Sequence, residues 1–268
     1  MKKIFLLLLL APSLCFGQNL VLNPSFENVN LANLQCSWYT SEGQFTNAIA
    51  NWDYPNNGST DIFHTSLSTS CYCHPLSTDA SSVGNQMPRT GNAMTNIVVY
   101  GSGGCTPYRE YLQGELSTPL TVGTTYNVSA YVSLADKSNR ATSNIGFKFT
   151  TTRQNTGSMC VWVTTPDVHY TGTPITNKTG WTLISFTFTP TVAGLRYFSF
   201  GNFFTDGATT TTSVSGSEGT IRYFVDDISV TVACPTQSAS WTNPSPICAA
   251  AGSINLNSLV TGTGGGTW

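Results

Sequence analysis

The stretch from Tyr126 to Leu134 alternates apolar and polar residues along its length. Its apolar positions are Tyr126, Val128, Ala130, Val132 and Leu134, and the positions between them include Asn127, Ser129 and Ser133. Successive side chains of a β-strand point to opposite faces, so this pattern predicts a strand with one buried face. The same period recurs at Ile145, Phe147 and Phe149. Strands of this kind bury their apolar faces when two sheets pack together.

Further segments rich in Val, Ile, Thr and aromatic residues recur along the chain. They lie at residues 19–22, 46–52, 93–100, 108–113, 159–164, 181–189, 196–203 and 221–232. Each is bounded by Gly, Pro, Asn or Ser, the residue types that favour turns. No amphipathic segment of ten residues predicts a helix. The predicted fold class is therefore all-β, a jelly-roll β-sandwich rather than an alternating β-α-β fold.

The two ends of the chain differ in composition from the part between them. Residues 1–17 begin with Lys2 and Lys3 and continue with an apolar run too short to span a bilayer, which predicts a cleaved secretory signal peptide. Residues 18–232 carry the strand pattern and are assigned to one jelly-roll domain. Residues 233–268 open with a Pro-, Ser- and Thr-rich stretch, which we interpret as a linker and the beginning of a second β module.

Charged residues are scarce in this sequence. They make up 9% of the chain, with a formal net charge of −2, whereas an average domain has about 25% charged residues. No basic patch favours nucleic-acid binding, and no basic amphipathic helix or later apolar run favours membrane insertion. Together with the signal peptide, this composition predicts a secreted, extracellular protein associated with the cell surface.

Seven of the eight cysteines follow the predicted signal peptide. They are Cys36, Cys71, Cys73, Cys105, Cys160, Cys234 and Cys248. In an exported chain, cysteines predict disulfides before metal sites. Cys36 is expected to pair with Cys71 or Cys73. Cys105 is expected to take the other of those two, and Cys234 to pair with Cys248. A zinc site at Cys71, Cys73 and His74 is the alternative, although no second Cys/His pair at finger spacing accompanies it.

Several separated motifs resemble known jelly-roll domains. NLVLNPSFEN at 19–28 resembles the opening strand of carbohydrate-binding-type jelly rolls, and TIRYFVDDISV at 220–230 resembles their closing strand. The stretches at 108–136 and 198–206 between them are similar to an N-terminal domain of exported Bacteroidetes surface and gliding-motility-associated proteins. The tail that begins at Cys234 resembles the start of an immunoglobulin-like adhesin repeat. The resemblance implies a galactose-binding-like fold whose wider relatives include sugar-binding modules, although a fold alone does not fix function.

Three acidic residues are candidate metal ligands. Related jelly rolls hold a structural calcium between a Glu after the first strand and an Asp in the last, which here implies Glu27 with Asp226 and Asp227. The period of two places Phe224, Asp226, Ile228 and Val230 on one face, where a buried carboxylate needs a partner. Calcium prefers oxygen ligands and is the predicted cofactor. A hydrogen-bonded Asp at the sheet edge, without metal, is the alternative.

Aromatic side chains are the candidate sugar contacts, because a ring offers a flat apolar face to sugar C–H groups. Trp52 and Tyr54 flank Asp53 in the loop-like stretch NWDYPNNGS, and Trp162 is the third choice. The wider set of candidates adds Trp38, Tyr39, Tyr108 and Tyr170. The alternative for most of these residues is a place in the core.

The sequence contains none of the common catalytic signatures, neither G-x-S-x-G nor H-E-x-x-H. Arg109 and Glu110 are adjacent on a predicted strand and so face opposite sides. We therefore predict a non-catalytic, exported binding or adhesion module within a larger protein, with an extracellular glycan or a surface protein as its partner. The alternatives are a carbohydrate-binding module attached to a downstream hydrolase, a ligand-free structural cap, or a hidden pair of glycosidase acids.

Overall fold

The computed structural model describes residues 17–233, which contain twelve strands and one short α-helix. The strands are β1 (Trp52–Asp53), β2 (Asp61–His64), β3 (Ala93–Tyr100), β4 (Leu112–Glu115), β5 (Tyr126–Leu134), β6 (Arg140–Thr142), β7 (Gly146–Thr150), β8 (Val168–His169), β9 (Thr182–Phe188), β10 (Tyr197–Gly201), β11 (Thr211–Ser213) and β12 (Ile221–Val232). The helix α1 spans Glu42–Ala48, and 3₁₀ turns lie at Leu31–Asn33 and Asp206–Ala208. The predicted signal peptide and second module, with Cys234 and Cys248, lie outside the described residues.

Two five-stranded antiparallel sheets form the sandwich. Sheet one has the order β1-β4-β10-β7-β8, and sheet two has the order β2-β3-β12-β5-β9. A small ladder joins β11 to β6. The prediction of an all-β jelly-roll sandwich is confirmed. No helix of residues 17–233 has the length and apolar character needed to cross a bilayer.

The core lies between the two sheets and follows from the alternation in the sequence. In β5 the residues Val128, Ala130, Val132 and Leu134 are fully buried, while Asn127, which precedes them, is exposed. Aromatic rings of sheet one close the space from the other side: the ring of Phe147 lies 6.0 Å from that of Phe186 in β9. Burying each large apolar side chain contributes about 1.5–3 kcal/mol relative to its exposure.

A β-bulge in β12 changes which of its residues share a face. Val225 pairs with Val132 of β5, and Val230 pairs with Val128, so six residues of β12 oppose five of β5. The irregularity lies between Asp226 and Ser229, where Asp227 has a φ of 48°. The prediction that Phe224, Asp226, Ile228 and Val230 share one face was therefore wrong, because one extra residue reverses the alternation within the strand.

Four predicted strands are absent or shortened, and of the segment 108–113 only Leu112 and Gln113 lie in a strand, β4. Residues 42–48 form α1 instead, because Ser41 caps the helix by accepting from the Gln44 amide, and Phe45 and Ala48 bury its inner face. Residues 19–22 and 159–164 contribute only single bridges, Val21 to Leu116 and Cys160 to Tyr108. The strand patterns at 93–100, 181–189, 196–203 and 221–232 correspond to β3, β9, β10 and β12.

The segment 65–92 between β2 and β3 lies across the outer face of sheet two. Tyr72 packs on Phe63 with ring centroids 5.9 Å apart. Further along, the Ser133 hydroxyl of β5 donates to Gln86 at 3.0 Å, and the Arg89 guanidinium stacks 3.5 Å from the Tyr131 ring. The outer face is thus covered over much of its length, and the cover ends near the first residues of β12.

Two disulfides stabilise the loops around this sandwich. Cys36 is bonded to Cys71, which confirms one of the two predicted partners. Cys105 is bonded to Cys160, so the prediction that Cys105 takes Cys71 or Cys73 was wrong. The reason is the bridge between Tyr108 and Cys160, which brings the two loops together. Cys73 is a free, buried thiol, and burial raises its pKa well above the ordinary value.

Candidate ligand-binding cleft

Trp52 is a core residue rather than a sugar platform. Its side chain is 2% exposed, and its ring lies 4.7 Å from that of Phe26 and 5.7 Å from that of Phe198. Its indole N–H donates to the Asn23 carbonyl at 2.8 Å. No ring face is open to a ligand, which corrects the prediction for this residue. The cause is β1, which is the edge strand of sheet one and turns Trp52 toward the other sheet.

Tyr54 is also part of the core, so the platform prediction is corrected for this residue too. It is 4% exposed, and its ring packs 5.4 Å from that of Phe45 in α1. Burial raises the pKa of its hydroxyl. The hydroxyl has no hydrogen-bond partner among residues 17–233. The Pro- and Asn-rich stretch after Tyr54 is a loop, but α1 covers the ring.

Trp162, the third predicted contact, is half-buried. Its ring lies 5.6 Å from that of Phe203 and 6.5 Å from that of Tyr111. Its backbone N–H donates to the Tyr111 hydroxyl at 3.0 Å. Trp162 lines neither of the two cavities described below. It therefore stays a prediction without a cavity beside it.

The three candidate calcium ligands surround the short loop 89–93. Glu27 accepts from the backbone N–H groups of Asn92 and Ala93, both at 2.8 Å. Asp226 accepts from the N–H of Arg89 at 2.7 Å. Gly91 between these donors has a φ of 61°, and a Cβ at this position would collide with the Glu27 carboxyl group. The loop 89–93 therefore packs closely against these acids and donates its backbone N–H groups to Glu27 and Asp226.

The two aspartates of this group have pKa values that are shifted in opposite directions. Burial, followed by the charge of Asp227, raises the pKa of Asp226 to about 7. Burial alone would raise the pKa of Asp227 as well, but hydrogen bonds from Ser25, Thr90 and Arg89 hold it below the ordinary value. Within residues 17–233, no group of three or more His, Cys, Asp or Glu side chains is placed to hold a metal ion. The carboxylate oxygens suit calcium, yet N–H and O–H donors already reach them, so calcium stays a prediction.

The outer face of sheet one is closed by the chain that follows β7. The Gln113 side chain donates to Asp53 at 2.7 Å and accepts from the Gln154 backbone N–H at 2.7 Å. Arg153 forms ion pairs with both Asp53 and Glu115. A cavity of about 330 Å³ remains beside this cover, but its charged groups Lys148 and Asp167 already pair with each other.

A larger cavity, of about 440 Å³, opens on the outer face of sheet two where the covering segment ends. We call it the acidic cleft. Its aromatic lining consists of Trp38, Tyr72 and Tyr108, and its charged lining consists of Asp61, Glu110, Glu218 and Arg222. None of the three sugar contacts predicted from the sequence lies here. Trp38 and Tyr108 belong to the wider set of candidate aromatics.

Strand register places the charged residues of the acidic cleft. Asp61 is the first residue of β2 and pairs with Asn96 of β3, while Arg222 is the second residue of β12 and pairs with Val98 of β3. Paired residues share a face, so two charges far apart in sequence lie on one surface. Glu110 is held beside them, because its carboxylate accepts from the Val98 N–H at 2.9 Å.

The neighbours of Glu110 separate it from the adjacent Arg109. Tyr108 donates its hydroxyl proton to the Glu110 carboxylate at 2.7 Å. Arg109 instead points away and forms an ion pair with Asp206 at 2.7 Å, where its side chain is completely buried. The prediction that Arg109 and Glu110 face opposite sides is confirmed. Arg109 pairs with Asp206 away from the cleft, and Glu110 lines the cleft.

Trp38 and Tyr72 form an aromatic wall of the acidic cleft. Trp38 is the most exposed tryptophan among residues 17–233. Trp38 is 50% exposed and meets Tyr72 edge to face, with ring centroids 5.7 Å apart. The Cys36–Cys71 disulfide links the backbone near both rings. A disulfide of this kind restricts the two segments and fixes the wall relative to the sheet. Exposed tryptophan faces beside a cavity are typical of ligand contact.

The two acids of the cleft are deeply buried. Asp61 is 5% exposed, and burial together with the charge of Glu110 raises its pKa to about 8, against the opposing effect of the Tyr39 N–H that donates to it at 2.8 Å. Burial also raises the pKa of Glu110, although Arg222 and Tyr108 counteract this effect. At neutral pH burial therefore favours the protonated form of Asp61.

Arg222 faces these acids without contacting them. It belongs to none of the six ion pairs found among residues 17–233. Its buried Nε has no hydrogen-bond partner in the same part of the chain. Asn96, opposite Asp61 in register, is buried with both side-chain amide atoms unpartnered. Buried polar groups are nearly always paired, so this region has unused hydrogen-bonding capacity.

Comparisons with known proteins give only distant likeness. No protein-family description matches the chain, and no curated protein matches it in sequence. A cleaved adhesin domain of Lys-gingipain from Porphyromonas gingivalis W83 is 14% identical, with a TM-score of 0.37, over 69% of this chain and 92% of that one. A family 61 carbohydrate-binding module solved with β-1,4-galactotriose is 12% identical, with a TM-score of 0.38, over 81% and 100%.

A tandem of family 22 carbohydrate-binding modules from Paenibacillus barcinonensis Xyn10C is 11% identical to this chain, with a TM-score of 0.40. The alignment covers 83% of this chain and 50% of that one. The assignment of the jelly-roll sandwich rests on the sheet order and register of the protein itself.

Proposed function

We propose that this protein is an exported, non-catalytic binding module that recognises a glycan in the acidic cleft and serves adhesion at the cell surface. The observation that carries the proposal is the cleft itself. It combines exposed Trp38 with buried Asp61, Glu110 and an unpaired Arg222 around about 440 Å³ of space. Sugars are bound in proteins by ring faces together with convergent polar groups of this kind.

The chemistry of the cleft matches the two properties of a sugar ring. The rings of Trp38 and Tyr72 provide apolar area for C–H faces. Glu110 and Arg222 provide a strong acceptor and a strong donor for hydroxyl groups, and charge-assisted hydrogen bonds are about twice as strong as neutral ones. Two disulfides among residues 17–233 support export, because such bonds persist in oxidising compartments.

The first test is a glycan-array screen of the purified protein, followed by the variants Trp38→Ala and Trp162→Ala. Saturable binding to one sugar class is expected for the native protein. Trp38→Ala should weaken that binding about tenfold or more, because a ring that contacts ligand contributes above 1 kcal/mol. Trp162→Ala is the matched control, since it removes a half-buried tryptophan outside the cleft, and its binding should stay within about twofold.

The reverse result, with loss in Trp162→Ala and none in Trp38→Ala, would place recognition at Trp162 and reject the acidic cleft. A blank array for the native protein would favour the ligand-free structural cap. Thermal unfolding of both variants separates these outcomes from a folding defect.

We also propose that a structural calcium ion binds at Glu27, Asp226 and Asp227. The resemblance to related jelly rolls motivates this proposal, and the raised pKa of Asp226 beside Asp227 is consistent with a place that gains from a cation. If calcium binds the folded state, chelation should lower the melting temperature, and added calcium should restore it. An unchanged melting temperature on chelation, with no metal found by elemental analysis, would reject the proposal in favour of the hydrogen-bonded alternative.

A further inference from the structure

The acidic cleft contains more acidic than basic side chains. Asp61, Glu110 and Glu218 line it, and Arg222 is the only basic residue among the lining residues described. Arg222 forms no ion pair with any of them. Two of the acids are at least 95% buried. Backbone and hydroxyl donors and the charge of Arg222 stabilise these acids in part, but three acids face one arginine, so acidic groups remain in excess.

The raised pKa of Asp61 agrees with this excess of acidic groups. Its carboxyl holds a proton up to a pKa of about 8, chiefly because of burial and then because of Glu110. A neighbouring cation would favour the ionised form and lower this pKa. The charge of Arg222 already lowers the pKa of both Asp61 and Glu110, although Arg222 forms an ion pair with neither, and a positively charged ligand would add to this effect.

The aromatic lining suits the same kind of ligand. Tyr72, Tyr108 and Trp38 surround the acids, and cations are attracted to the faces of such rings, most strongly to tryptophan. Arg222, by contrast, needs a hydrogen-bond acceptor, because its buried Nε has no partner among residues 17–233. A group with an ammonium next to a hydroxyl oxygen satisfies both requirements at once. An amino sugar presents this pair on neighbouring ring carbons.

We propose that the acidic cleft selects sugars that carry a free amino group, with the ammonium bound by Asp61 and Glu110 and an adjacent hydroxyl oxygen bound by Arg222. This inference rests on the proposed glycan-binding function and specifies its ligand class. Sugars with carboxylate groups are disfavoured, because a further anion would enter a site that already holds buried acids.

Calorimetric titration with three matched hexamers tests the proposal. A glucosamine hexamer, an N-acetylglucosamine hexamer and cellohexaose share a β-1,4-linked glucose backbone and differ at position 2 in an amine, an amide or a hydroxyl. At about pH 6.5 an amine carries charge. We expect the native protein to bind the glucosamine hexamer about tenfold or more tightly than the other two, since a charge-assisted bond replaces a neutral one.

The variant Asp61→Asn should remove most of this preference while retaining the side-chain oxygen that accepts from the Tyr39 N–H. Glu110→Gln serves as a second variant in case Asp61→Asn fails to fold. Asp167→Asn is the matched control, because it removes a carboxylate that pairs with Lys148 outside the cleft. The control should keep the native preference.

Equal affinity for all three hexamers would overturn the amino-sugar inference and leave the proposed glycan-binding function standing. Preference for the glucosamine hexamer that survives in Asp61→Asn and Glu110→Gln would also overturn it, since the charge would then be recognised elsewhere. Failure to bind any of the hexamers, together with a blank glycan array, would reject both proposals.

Discussion

The variant Asp61→Asn should be more stable than the native protein above about pH 8 and similar to it near pH 4. In the folded protein the Asp61 carboxyl keeps its proton up to a pKa of about 8, while its ordinary value is 3.8. The stability that the protonated carboxyl contributes is complete below the ordinary value. It is lost as the pH rises toward the folded value, by about 1.4 kcal/mol per pH unit. Asparagine does not titrate and avoids this loss.

Denaturant unfolding of both proteins at several pH values between 4 and 9 measures the effect. The difference in the free energy of unfolding should grow with pH and level off above about pH 8. Asp226 and Glu110 also have raised pKa values, but both residues remain in the variant, so most of their effect cancels in the difference. A difference that does not vary with pH would show that Asp61 is ionised in the folded protein.

If Asp61 lowers the stability of the fold at neutral pH, its presence is explained better by function than by stability. Buried acids that lower stability and lie in a cavity are characteristic of functional sites, where activity is kept at the expense of stability. The stability experiment is thus independent of any sugar, yet it supports the acidic cleft as a functional site. It also gives the charge state of Asp61 in the absence of a ligand.

The fold could be predicted from the sequence because its longest strands carry a local signal. In β5, alternation with a period of two requires no knowledge of other segments, and the structure matches it from Tyr126 to Leu134. The segment 46–52 was mistaken for a strand because its residues favour either state. There, a cap at Ser41 and the burial of Phe45 decide in favour of the helix α1.

The acidic cleft could not be predicted, because its charged residues are distant in sequence and are brought together only by the pairing of strands. Asp61 and Arg222 lie on different strands, and both reach one face because β3 pairs with each of them. No local pattern around either residue marks it as functional. Glu110 gave a partial signal, since its alternation with Arg109 separates the two side chains. Trp38 lies against Tyr72 close to the Cys36–Cys71 disulfide, and sequence alone left two partners open for Cys36.

The two aspartates of β12 show how one inserted residue changes which side chains share a face of the strand. A count by twos placed Asp226 with Ile228 on a single face, but the bulge at Asp227 breaks that count. Bulges have no reliable sequence signal when glycine is absent, because the positive φ is then carried by another residue, here Asp227 at 48°. The bulge buries Asp226, and burial followed by the charge of Asp227 raises the pKa of Asp226, whereas hydrogen bonds from Ser25, Thr90 and Arg89 hold the pKa of Asp227 low.

Replacement of Trp52 by alanine should destabilise the protein by about 3–5 kcal/mol, the usual cost of removing a buried tryptophan. The ring is 2% exposed and packs against Phe26 and Phe198, so its loss leaves a cavity between the sheets. The Asn23 carbonyl also loses the indole donor. Trp38→Ala is the matched control, because a half-exposed ring outside the core should change the free energy of unfolding by about 0.5 kcal/mol or less.

The two tryptophan variants together distinguish packing from recognition. Denaturant unfolding should show a large loss for Trp52→Ala and a small one for Trp38→Ala, while binding of the array ligand should show the reverse among molecules that remain folded. Each residue would then carry one property, because a ring enclosed by other rings stabilises the fold and a ring beside a cavity contacts the ligand. A stable Trp52→Ala protein that had lost glycan binding would restore Trp52 as a sugar platform and contradict its place in the core.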